Sequence, residues 1–180
     1  MTIYIAFLRG INVGGKSLLP MKELVAVLED LGSQNVHTYI QSGNAVFESR
    51  DKDASRLSRT ISAEIKKRRG FESHVLVLKL KDLERAIAEN PFPEAEIDPR
   101  FLHVGFLASS PRNPNLKMLE SIKSSSERFH LIDNLFYLHA PEGVGKSKLA
   151  AKTEKLLGVA MTDRNWRTVL KVWEMAKGLT

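Results

Sequence analysis

The sequence predicts an α+β chain of two related halves, each a split βαβ pattern that packs helices on one face of a small, mainly antiparallel sheet. Three observations predict it. The pattern from Ile3 to Lys79 runs β-α-β-β-α-β, a similar order resumes at Phe101, and the proline-rich stretch PFPEAEIDP is the one credible linker. The halves are therefore expected at residues 1–90 and 101–180, with 91–100 joining them in one compact unit. A chain of 180 residues, 43% of them apolar, can bury a core of that size.

Each element has its own warrant. Ile3–Leu8 is a short apolar run stopped by a glycine loop, the pattern of a buried strand. Met21, Leu24, Val25, Leu28 and Leu31 recur at three- and four-residue steps between Pro20 and Gly32, which predicts a helix. Val36–Ile40 alternates, QSGN turns the chain, and Ala45–Phe47 returns, giving a hairpin. Asp53 opens a second helix through Leu57, Ile61 and Ile65, closed by Gly70, and Phe71–Lys79 is the next strand. Lys81–Glu89 is helical and stops at Asn90 and Pro91.

The second half repeats the logic. Phe101–Ala108 is a strand and Leu116–Ile122 a short helix; Arg128–Ile132 and Leu135–His139 form a hairpin turning at Asp133 and Asn134. Helices over about Ser147–Leu157 and Asp163–Lys177 finish the chain. In the last, Trp166, Val169, Leu170, Trp173 and Ala176 make a core stripe. Arg164, Arg167 and Lys171 make an adjoining cationic stripe that is either a solvated face or an anion-contacting one.

Two glycine-lysine clusters carry the chemistry. Gly10–Ser17, GINVGGKS, spells the phosphate-loop pattern, but a helix begun at Lys16 would put Pro20 in its second turn, where the ring collides with an earlier carbonyl. The loop is therefore longer and the helix starts near Pro20. GVGKSK at 143–148 leads straight into a helix, the better placement for an anion, although Ala140 stands where the pattern wants its first glycine. The first and third strands of each half are expected to run parallel side by side, which would bring both loops to the same end and into one basic cleft.

Composition narrows the function. The formal charge of +6 and a pI near 9.6 suit a polyanionic partner. Much of the excess, Lys66–Arg69 before Gly70, also suits a helix C-terminus. No cysteine is present, which excludes thiol catalysis and thiolate metal sites. The five histidines are scattered, so no metal site is expected, and no feature indicates a particular cofactor. No apolar run approaches a membrane span or a secretory leader, so the expectation is a cytoplasmic protein without a membrane partner. Ser17, Ser42 and Ser147 would serve as nucleophiles only beside a base, and nothing in the sequence puts a histidine near them.

AFLRGINVGGK at 6–16, TYIQSGNAVF at 38–47, GVGKSKL at 143–149 and TDRNWRTVLK at 162–171 together resemble the signature segments of domain-of-unknown-function family 1697, a group of bacterial proteins. The resemblance implies a compact fold of two ferredoxin-like halves. It implies no activity, substrate or catalytic residue.

The expected ligand is phosphorylated or otherwise anionic, either a nucleotide or a nucleic-acid backbone. Arg9, Lys16, Lys146, Lys148, Arg164 and Arg167 would line the cleft, with amide donors at Gly14, Gly15, Gly143 and Gly145 oriented by Asn12 and Asn44. Two alternatives stand beside it: an enzyme acting on a small anionic metabolite, and an interaction protein, homo-oligomeric or not, whose glycine loops are only tight turns.

Overall fold

The computed structural model describes all 180 residues, Met1–Thr180. The chain divides into two compact units, Met1–Arg85 with Lys171–Thr180, and Ala86–Leu170.

In the first unit, β1 (Thr2–Arg9), α1 (Met21–Asp30), β2 (Gln34–Tyr39), β3 (Asn44–Ser49), α2 (Ala54–Arg69) and β4 (His74–Lys79) follow the predicted order. The sheet order is β2-β3-β1-β4 and every neighbouring pair is antiparallel. This is the ferredoxin-like arrangement. Residues Tyr4–Leu8 are all buried, so β1 is covered on both faces and reads as an unbroken apolar run. One face holds the core: Tyr4, Ala6 and Leu8 pack with Leu24 and Leu28 of α1 and Leu57, Ile61 and Ile65 of α2. Asp53 caps α2 by accepting from the Arg56 amide at 3.0 Å, and Gly70, at φ +76, ends it.

Between the units the chain continues through α3 (Leu80–Ala88). In the second unit, β5 (Leu102–Leu107), α4 (Leu116–Ile122), β6 (Arg128–Ile132), β7 (Leu135–His139), α5 (Lys148–Leu157) and β8 (Met161–Asn165) repeat the first in order β6-β7-β5-β8, again all antiparallel. Its core joins Leu107, Phe136 and Leu138 to Leu119, Leu149 and Leu157. The stretch expected as a linker forms two short 3-10 turns, Pro93–Ile97 and Pro99–Phe101.

Two expectations are corrected. Residues 161–165 are a strand, and the last helix, α6, covers Trp166–Lys177, beginning three residues later than expected at Asp163. Five ladder positions against β5 override the helical pattern of TDRNWR, and Asn165 caps the helix that follows, its Oδ1 accepting from the Arg167 amide at 3.0 Å. Arg164 therefore shares no helical stripe with Arg167 and Lys171. The second correction concerns strand direction. β1 and β3 are antiparallel, as are β5 and β7, because the returning arm of the hairpin lies between the first two parallel strands. A loop after the first strand and a loop after the third leave a sheet of this kind from opposite ends.

Candidate functional site

The Gly10–Ser17 loop is a small folded object. The Lys16 amide donates to the Val13 carbonyl at 3.1 Å, with Gly14 at φ +58 and Gly15 at φ +71 between them. Positive φ at both central positions is what a two-residue hairpin turn of type I′ requires. α1 begins only at Met21, after Pro20, so no helix N-terminus follows the GK pair. Asn12 ties the loop down: Nδ2 donates to the Leu19 carbonyl at 2.9 Å and to the Gln41 carbonyl at 2.7 Å, while Oδ1 accepts from the Leu19 amide at 2.8 Å. Asn44, fully buried, donates to the Tyr39 carbonyl at 2.9 Å and the Ser42 hydroxyl at 3.1 Å, closing the neighbouring turn. Both asparagines thus act as struts. Arg9 and Lys16 are exposed beside them.

The Gly143–Lys148 loop is built differently. Gly143, at φ +85, donates its amide to the Ala140 carbonyl at 2.8 Å, so its part is the turn and that N–H is not open to a ligand. Val144–Lys146 form a 3-10 turn and Ser147 caps α5, its hydroxyl accepting from the Ala150 amide at 3.0 Å. Gly145, Lys146 and Lys148 are exposed. The loop borders a cavity of about 330 Å³, lined by Lys146 and Lys148 together with Ser124, Glu127 and Glu142.

The two arginines of TDRNWR part company. Arg167 is exposed at the start of α6. Arg164 sits in β8, where alternation turns it away from the face that carries Asp163, and burial lowers its guanidinium to about 10. Its Nη1 donates to the Asp163 carbonyl at 2.8 Å.

Pairing separates the cations into two sets. At the end of α2, Lys66 meets Glu72 at 2.5 Å, Arg68 meets Glu64 at 2.8 Å and Asp30 at 2.7 Å, and Arg69 meets Glu23 at 3.6 Å. That run is consumed by the protein's own carboxylates. Lys16, Lys146, Lys148 and Arg167 enter no ion pair.

The structure also assembles a pair that sequence reasoning missed. His103 of β5, 8% exposed, has Nδ1 at 2.8 Å from Asp163 Oδ2 of β8, and its Nε2 faces Asn165 Nδ2 at 3.5 Å. The register, which sets His103 opposite Asn165 and Gly105 opposite Asp163, makes the diagonal contact. Asp163 also borders a cavity of about 280 Å³ between Phe136, Leu138 and Met161 of the sheet and Ala150 and Ala151 of α5.

Two ferredoxin-like units with glycine-lysine loops define a class by architecture. The chain belongs to the family described as protein of unknown function DUF1697, whose family model matches residues 1–137. That match holds the first glycine loop and ends before the second. The solved structure of conserved bacterial protein SP0830 from Streptococcus pneumoniae is similar over 97% of this chain and 98% of that one, at 26% identity and a TM-score of 0.70. No curated protein matches the chain. No helix is long and apolar enough to cross a membrane.

Proposed function

We propose that the protein binds a phosphorylated or otherwise anionic small molecule at the Gly143–Lys148 loop. One observation carries this reading: Lys146 and Lys148 border a cavity of about 330 Å³ without any carboxylate partner of their own, at the capped N-terminus of α5. Pockets for small ligands run from about 300 to 1,000 Å³, so the volume suits a small molecule. Calorimetry with inorganic phosphate and a nucleotide panel tests it. Lys146→Ala should weaken binding about tenfold, roughly 1.4 kcal/mol, and Lys66→Ala should leave it unchanged. Absence of binding by every anion would overturn the reading. The nucleic-acid version demands an affinity falling with salt at a log–log slope near 0.9 per duplex phosphate contacted. A salt-insensitive affinity rejects that version.

A second reading, an enzyme on a small anionic metabolite, draws on the His103–Asp163 pair. A carboxylate 2.8 Å from Nδ1 fixes the ring and favours the tautomer whose lone pair is on Nε2. That atom faces the Asn165 amide nitrogen at 3.5 Å and would have to exchange that contact for a substrate proton. Turnover in a metabolite screen that disappears in His103→Gln, with the fold retained, would support it. Turnover unaffected by that change would reject His103 as the base.

A further inference from the structure

The cavity bordered by Lys146 and Lys148 is also lined by two carboxylates, Glu127 and Glu142, that the fold holds in place. Glu127 is 5% exposed; its Oε2 accepts from the Ser124 amide at 2.8 Å. Glu142 accepts from the Ser126 hydroxyl at 2.8 Å, and the Ser124 and Ser126 hydroxyls stand 3.1 Å apart. One short turn thus positions both acids. Neither enters an ion pair, although two lysines border the same cavity. A buried carboxylate is costly unless a donor or a cation meets it, and Glu127 has only one backbone amide.

We infer that this cavity takes a zwitterionic ligand: an anionic group, phosphate by preference, on Lys146 and Lys148, and an ammonium group between Glu127 and Glu142. The inference rests on the anion reading above and narrows it. A duplex or polyphosphate backbone would set further negative charge against the two carboxylates, and like charges across an interface repel. An amino-bearing phosphate answers both the lysines and the carboxylates of the lining at once. The volume of about 330 Å³ accommodates a molecule of that kind.

The test compares two probes by calorimetry at neutral pH, phosphoethanolamine and ethyl phosphate, which lacks only the amino group, with inorganic phosphate as the third. Phosphoethanolamine should bind at least tenfold more tightly than ethyl phosphate. Glu142→Gln should abolish that difference, and Lys146→Ala should weaken both probes alike. Glu142 is exposed, so the substitution leaves the core untouched. Glu127→Gln, with stability checked by denaturation, gives a second measurement of the same difference. If both phosphates bind equally in the unaltered protein, the zwitterion proposal falls and the anion reading stands. If no probe binds, both fall together.

Discussion

The Asn12 side chain donates to the Gln41 carbonyl at 2.7 Å, joining the glycine loop after β1 to the turn between β2 and β3. The same amide group holds both the N–H and the carbonyl of Leu19. Replacing Asn12 by Ala removes all three bonds, and at φ +54 it also puts a less suited residue in the left-handed region. A net contribution of about 0.5–1.5 kcal/mol per bond predicts a loss of roughly 2–4 kcal/mol. Urea denaturation reads it; a loss below about 1 kcal/mol would show that Asn12 is not the strut.

Gly43 and Gly14 make a matched pair. Both have positive φ, but a Cβ on Gly43 would meet Ile11 Cδ1 and Leu8 Cβ at 2.7 Å, whereas one on Gly14 meets open space. Gly14→Ala should cost only the backbone penalty, about 1–2 kcal/mol. Gly43→Ala adds overpacking of about 1–3 kcal/mol. Equal melting temperatures for the two variants would contradict the packing.

Ile40 is a β-branched residue at φ +50, half exposed at the tip of the β2–β3 turn. Asparagine tolerates that conformation, so Ile40→Asn should raise stability by roughly 0.5–1 kcal/mol. A fall in the melting temperature would mean that the side chain contributes more by packing than the backbone loses by strain.

His139 accepts a hydrogen bond from Arg128 at 3.0 Å, and Arg128 in turn pairs with Glu94 at 2.5 Å and lies 4.6 Å over the Phe92 ring. Burial, then repulsion from Arg128, push the imidazole below its ordinary value of 6.5, against the opposite pull of Glu94. The fold therefore favours neutral His139. Its contribution is fully present above the unfolded value near 6.5 and is lost as pH falls through the lower folded one. NMR titration should show His139 titrating below 6.5, and stability measured across that window should fall with acid. A His139 that titrates above 6.5 would reverse the sign.

Much of this was legible in the chain. The first β-α-β-β-α-β was readable because each element carries a local stop: Pro20 before α1, Gly43 in the hairpin, Asp53 and Gly70 at the ends of α2. Pro20 also predicted that the GK pair would not start a helix, and it does not. Ser147 and Gly158 bracket α5 in the same way.

The rest needed three dimensions. TDRNWR has helical spacing, and only pairing with β5 makes 161–165 a strand; the missing fourth strand of the second half was the available signal. Strand direction decided that, within each sheet, the loops after the first and the third strand leave from opposite ends, which no local pattern encodes. The His103–Asp163 contact depends on register across residues 60 positions apart. Charge behaves similarly: Lys66 and Lys146 look alike in sequence, and only the placement of carboxylates leaves one paired and the other facing a cavity. Backbone preferences act within a few residues and are written in the chain, whereas the neighbours of a side chain are set by how distant segments pack.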